Sequence, residues 1–160
     1  MSNSTKKHLL VDGSNILHAW PEFRTLLPRG RHAARSRLSH ALAPLHDIEG
    51  FRLTIVFDGS GSELTVERPA GEASFVHIHT PSGTTADNVI IQLVGCAKAP
   101  GDCVVATDDR GEREAVEALG AAVISAADLA GRASRASQRQ AAQVEHHGRK
   151  TEKEWRRPAC

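Results

Sequence analysis

The chain of 160 residues is 40% hydrophobic and 24% charged, enough for one domain with a buried core and too short for two full ones. Its apolar runs are only a few residues long, which excludes a bilayer span of about 20 residues, and the stretch after Lys7 is too short for the core of a secretory signal, so a cytoplasmic protein is expected. The net charge of +1 is unevenly spread: residues 132–160 hold eight Lys or Arg against three Glu, net +5, which leaves 12 basic and 16 acidic residues in positions 1–131, net −4.

His8 to Val11 is a short apolar run ending at Asp12-Gly13, the pattern of a buried parallel strand that stops at a loop. Residues 31–47 place Ala34, Leu38, Leu42 and Leu45 at helical spacing with Arg and His on the other faces, which predicts an amphipathic helix disturbed at Pro44 and closed by Gly50. Residues 53–57 repeat the strand signature and end in Asp58-Gly59. Residues 59–71 read as a polar loop, and residues 75–79 alternate as a third, more exposed strand. Val89, Ile90, Leu93 and Val94 lie on one face of a helix predicted over 86–97. A fourth strand over 103–107 ends in Asp108-Asp109, a helix follows over 111–119, a fifth strand over 121–124, and Ser125 is a suitable N-cap for residues 126–130. From Arg132 to Cys160 there is no sustained apolar period. The expected organisation is therefore a domain over 1–131 and a basic tail over 132–160, either a frayed helix or disordered. Cys96, Cys103 and Cys160 have no C-x-x-C spacing and read as free thiols.

Strands alternating with helices indicate an α/β fold with a central, mostly parallel sheet and helices on both faces. In such sheets the functional crevice lies beyond the carboxyl ends of the strands. Asp12, Asp58 and Asp109 end three predicted strands, and Asp87 opens a helix. Capping and Asp-Gly turns account for each of these singly. Gathered in one crevice, however, ionised carboxylates repel one another unless protons or a cation neutralise them. Oxygen ligands select Mg²⁺ or Mn²⁺ over zinc, and such ions suit hydrolysis of phosphodiesters. Asn15, Ser14 and Thr107 stand beside the same strand ends as assisting groups.

The segment Val11-Asp12-Gly13-Ser14-Asn15-Ile16-Leu17-His18-Ala19-Trp20-Pro21 resembles the opening of the bacterial YacP-like NYN domain family, part of the PIN-like nucleases. Val56-Phe57-Asp58-Gly59, Gly83-Thr84-Thr85-Ala86-Asp87-Asn88 and Val105-Ala106-Thr107-Asp108-Asp109-Arg110-Gly111-Glu112 follow in the family's order. The resemblance implies a PIN-like three-layer α/β/α fold and metal-dependent endoribonuclease activity. Asp12, Asp58, Asp87 and Asp109 would occupy the acidic, metal-holding positions; Asn15 joins them as a catalytic candidate on its own chemistry, since its amide can orient a water or phosphate. The resemblance also implies RNA as the partner, ribosome-associated mRNA included. Thr84 stands where the family usually has Glu, and Asp108 where it has a small polar residue, so Asp108 is counted as a further metal-holding candidate.

With 4% aromatics and no Tyr, RNA held chiefly by base stacking is disfavoured and phosphate contacts must dominate. Arg29, Arg31, Arg35, Arg37 and Arg110 are the candidates for those contacts, aided by Arg149, Lys150, Lys153, Arg156 and Arg157 of the tail. Trp20 and Phe23 read as core. His77-x-His79 places two imidazoles on one strand face with no third ligand near in sequence, and is set aside as a metal pair. The rival to a nuclease is a non-catalytic RNA-binding or ribosome-associated module that kept the fold without the chemistry.

Overall fold

Buried strands must satisfy their backbone groups by pairing with each other, and the short apolar runs of this chain do so in one sheet. The computed structural model describes residues 6–155. In chain order the elements are β1 (His8–Asp12), α1 (Gly13–Ala19), α2 (Pro21–Leu26), α3 (Arg31–Asp47), β2 (Arg52–Gly61), β3 (Thr65–Glu67), β4 (Phe75–Pro81), α4 (Ala86–Gly95), β5 (Cys103–Ala106), α5 (Arg110–Ala118), β6 (Ala122–Ile124) and α6 (Ala126–Trp155). Strand order across the sheet is β3-β4-β2-β1-β5-β6, parallel throughout except that β3 runs antiparallel to β4.

Period-two alternation along β1 divides the core. Leu9 and Val11 join Ile16, Phe23, Leu38, Leu42 and Leu129 on one side of the sheet, whereas Leu10 joins Val89, Ile90, Val94 and Val116 on the other. Helices α1, α2, α3 and α6 thus cover one face and α4 and α5 the other, giving the expected three layers. Trp20 and Phe23 are core residues: they stack with ring centroids 5.6 Å apart, and the Trp20 indole N–H donates to the Ala126 carbonyl. Helix α3 continues through Pro44, which lies in its last turn, where one lost backbone bond is tolerated.

Two expectations are corrected. The segment over 59–71 is not all loop: β2 runs on to Gly61 and β3 pairs with β4, because backbone pairing to an edge needs no apolar pattern. Gly59 permits the close passage of β2 and β4, since a Cβ there would sit 2.1 Å from the Thr80 carbonyl oxygen. The strand over 75–79 is largely buried rather than exposed, with β3 covering its outer edge.

The structure also shows how the chain continues past Arg132. Helix α6 passes through it unbroken, with Ser125 capping its start by accepting from the Asp128 N–H. Leu129, Ala133 and Ala136 recur at helical spacing and are buried against α3, and Arg139 forms an ion pair with Glu49 at 2.6 Å. Small alanines pack a helix closely while carrying little of the apolar signal that marks an amphipathic face. Side chains over 141–148 are exposed, and Arg156 and Arg157 lie outside the described residues. A chain ending at Gln140 is expected to unfold within about 0.5 kcal/mol of the full chain. A chain ending at Gly131, stripped of the Ala133 and Ala136 contacts, should lose more than about 2 kcal/mol. Urea denaturation of the three lengths checks this.

Candidate active site

Strands β1 and β5 are parallel neighbours, but β1 leads off toward β2 and β5 toward β6. The loops at their carboxyl ends therefore part and leave a crevice at the switch point. Asp12 ends β1 and N-caps α1, its Oδ1 accepting from the Asn15 N–H at 3.1 Å. Asp109 follows β5 and N-caps α5, accepting from the Glu112 N–H at 2.8 Å. Asp58, within β2, accepts from the Ala86 N–H at 2.7 Å and so caps α4, while Asp87 lies half-buried in that helix's first turn. The four aspartates named from the sequence thus come to one end of the sheet, and each lies at or next to a helix N-terminus.

The assisting residues join these loops. The Ser14 hydroxyl accepts from the Asp58 N–H at 3.1 Å, and Asn15 Oδ1 accepts from the Asp108 N–H at 2.9 Å, so α1 is stitched to both neighbouring strand ends. The Asp108 carboxylate accepts from the Ala126 N–H at 2.9 Å, which commits one of its oxygens to the start of α6. Thr107 is fully buried, accepts from the Asp109 N–H and donates to Glu112 Oε2 at 2.9 Å. The Thr84 carbonyl accepts from the Thr80 hydroxyl.

Glu112 is the buried acid of this crevice that sequence reasoning missed. It is 1% exposed, and its side chain meets the Asp12 carboxyl, itself 6% exposed. Burial, then the contact with Asp12, pushes its pKa up to about 9. Burial likewise raises Asp12, and the nearby charges of Asp58 and Asp87 add to the rise. Glu112 Oε1 has no donor among the described residues. Two facing carboxyl groups are both acceptors when ionised, so the contact is satisfied only by a proton between them or by a cation. The available signal was Asp109-x-x-Glu112, the spacing that turns an acid at the third helical position back toward the cap.

A buried carboxylate pair with an orphaned oxygen, flanked by Asp58, Asp87 and Asp109, has the donor chemistry for a hard divalent cation. Among the described residues the trio whose ligand atoms lie within 4.8 Å of one another is instead Glu67, His77 and His79.

Of the arginines, Arg31 and Arg35 share a face of α3 and line a recess of about 330 Å³ with Ser14, His18 and Asp58. Arg35 also donates to the Asp58 carbonyl at 2.5 Å and lies over the Phe57 ring. Arg37 lines a different recess, with His40 and Ser137, and Arg110 forms an ion pair with Glu114, so neither joins that group. Arg29 is exposed in the turn before α3 and does not line the recess.

Glu112 makes the metal-free protein pH-sensitive in a defined direction. Its carboxyl ionises near 4.5 when unfolded and near 9 when folded, so between those values the native state holds a proton that the unfolded chain has lost. Stability is therefore undiminished below the lower value and falls as pH rises toward the upper one. Glu112→Gln keeps the shape of the protonated acid without the titration. In chelator, this variant should melt several degrees above the parent at about pH 8, with the gap closing near about pH 5. A pH-independent gap would place the effect elsewhere.

Comparison with known proteins agrees with this fold. The family model described as the YacP-like NYN domain matches residues 9–158. A Bacillus subtilis (strain 168) protein described as "Uncharacterized protein YacP" is 31% identical over 122 residues, 76% of this chain and 71% of that one. Crystal structures of Rae1 (YacP) from Bacillus subtilis superpose with a TM-score of 0.72 at 27% identity, covering 90% of this chain and 83% of that one. A tryptophan-to-leucine variant of the same protein gives 0.71 at 27%, covering 89% and 84%. The match runs from β1 through the whole of α6 and so includes every acid of the crevice: the chain belongs to the YacP-like NYN domain family, whose fold is that of the PIN-like nucleases.

Proposed function

We propose that this protein is a metal-dependent endoribonuclease that hydrolyses RNA phosphodiester bonds in the crevice between β1 and β5. The observation that carries the reading is the buried Asp12–Glu112 contact, in which Glu112 Oε1 is left without a donor among the described residues, at the switch point of a PIN-like fold. Asp12 and Glu112, with Asp58, Asp87 and Asp109 around them, would hold Mg²⁺ or Mn²⁺. Such an ion polarises a phosphate oxygen and lowers the pKa of an attacking water. Asp12 and Glu112 would exchange their shared proton for the cation. Asn15 and Ser14 hold the loops that carry Asp12, Asp58 and Asp108 in register, and Thr107 fixes the Glu112 carboxyl. The recess lined by Arg31 and Arg35 beside Asp58 accepts the backbone of a single strand. The substrate proposed is RNA, ribosome-associated mRNA included; no helix among the described residues is long and apolar enough to cross a membrane.

A second reading, an RNA-binding module without chemistry, is favoured by one observation: Asp58 and Asp109 already use an oxygen each to cap helices. Incubating RNA with the protein in Mg²⁺, Mn²⁺ or chelator separates the two. Under the nuclease reading, cleavage requires the ion and Asp12→Asn lowers turnover by about 100-fold or more, equivalent to about 2.7 kcal/mol of transition-state stabilisation, while RNA is still retained in a filter assay. Retention by the parent protein with no ion-dependent cleavage supports the module.

Phosphate contacts make a further quantitative expectation. Arg31→Ala should weaken RNA binding for all sequences alike and reduce the slope of log affinity against log salt by about 0.7, the loss of one contact to a single strand. An unchanged slope would remove Arg31 from the RNA-binding surface.

A further inference from the structure

The histidine pair on β4 gains in three dimensions the ligand it lacked in sequence. His77 and His79 are two residues apart and face the same side of the sheet. Strand β3 sets Glu67 directly opposite His77 in the antiparallel register. Glu67 Oε2 stands 3.9 Å from His77 Nδ1 and 3.6 Å from His79 Nε2, and the three ligand atoms lie within 4.8 Å of one another. Ligand atoms about 2.1 Å from a tetrahedral ion are separated by about 3.4 Å, so small side-chain adjustments suffice.

We propose that Glu67, His77 and His79 form a binding site for a Zn²⁺-class transition ion, separate from the carboxylate crevice. The surrounding contacts prepare it. Ser39 Oγ lies 2.6 Å from His77 Nε2, which occupies that nitrogen and leaves Nδ1 for an ion, the outer-shell arrangement that orients ligating imidazoles. His79 Nε2 is buried with no hydrogen-bond partner among the described residues. Both rings are held by aromatic packing, His79 stacked on Phe57 at 5.5 Å and His77 edge-on to Phe57 and Phe75. A recess of about 290 Å³ opens over the trio, leaving room for water or another ligand at a fourth position.

Ligand chemistry sorts the two sites. Two imidazoles and one carboxylate favour Zn²⁺, Co²⁺ or Ni²⁺, whereas the crevice offers oxygen alone. One nearby group opposes a cation: the Arg35 guanidinium, 3.5 Å from His79 Nδ1, though its second nitrogen is held by the Asp58 carbonyl. That same arginine lies between the trio and the crevice.

The test is titration of the full chain with Co²⁺, read by the visible absorption of a tetrahedral cobalt centre, and with Zn²⁺, read by competition with a chromophoric chelator. Roughly one equivalent should bind. His79→Ala and Glu67→Gln should each weaken binding by about tenfold or more, while Asp12→Asn and the double variant His146→Ala/His147→Ala leave it unchanged. Glu67 is exposed on a three-residue strand, so Glu67→Gln decides the matter if His79→Ala fails to fold. No binding by the parent protein, binding unaltered by Glu67→Gln, or binding lost in Asp12→Asn or in the His146/His147 variant each overturns the proposal. All of these readouts are independent of nuclease activity.

Discussion

Two carboxyl groups, Asp12 and Glu112, meet inside this protein, and every charged group that shifts either of them is another acid. The arrangement is costly for a metal-free chain, because desolvation and like charge both oppose ionisation and a proton must be retained to relieve them. It persists because the rest of the fold imposes it. Asp12 is at the end of a strand paired on both sides, and Glu112 is fixed by α5, whose start is itself anchored by Asp109 and Thr107. Backbone pairing and capping supply enough stability elsewhere to hold the two groups together.

The same acids serve as helix caps, and this links architecture to chemistry. Asp12, Asp58, Asp108 and Asp109 accept from N–H groups in the first turns of α1, α4, α6 and α5, so the starts of four helices converge on one end of the sheet. Helix N-termini carry partial positive charge, which offsets part of the carboxylate repulsion and is favourable to a phosphate approaching the crevice. Three of the acids proposed to bind a cation, Asp12, Asp58 and Asp109, are thereby groups that define where helices begin.

Arg35 occupies the boundary between two regions of different character. Toward the crevice it holds the Asp58 carbonyl and lines the recess with Arg31; toward β4 it lies over Phe57 and beside His79. Oxygen donors dominate on the first side and imidazoles on the second. A single side chain thus spans the surface suited to a polyanion and the cluster suited to a softer ion.

Much of the fold was legible in the order of residues because its signals are local. Apolar runs over 8–11, 53–57 and 103–107 each ended in aspartate, and a run buried on both faces that stops at Asp is what a parallel strand with a functional loop requires. The four aspartates lie at strand ends and helix starts along one end of the sheet. Glu112 was not legible in the same way, since a charged residue on an amphipathic helix reads as solvent-facing until the neighbouring strand end is seen to cover it. Glu67 lies in an exposed three-residue strand with no apolar alternation, and its approach to His77 depends on a cross-strand register that only pairing defines. The extent of α6 was hidden because alanines at 133 and 136 carry little apolar signal yet pack closely on α3. The sequence by itself determined which residues end strands and start helices, since those preferences act within a few residues; the tertiary structure decided which buried groups meet, because that depends on strand order and helix packing across the whole chain.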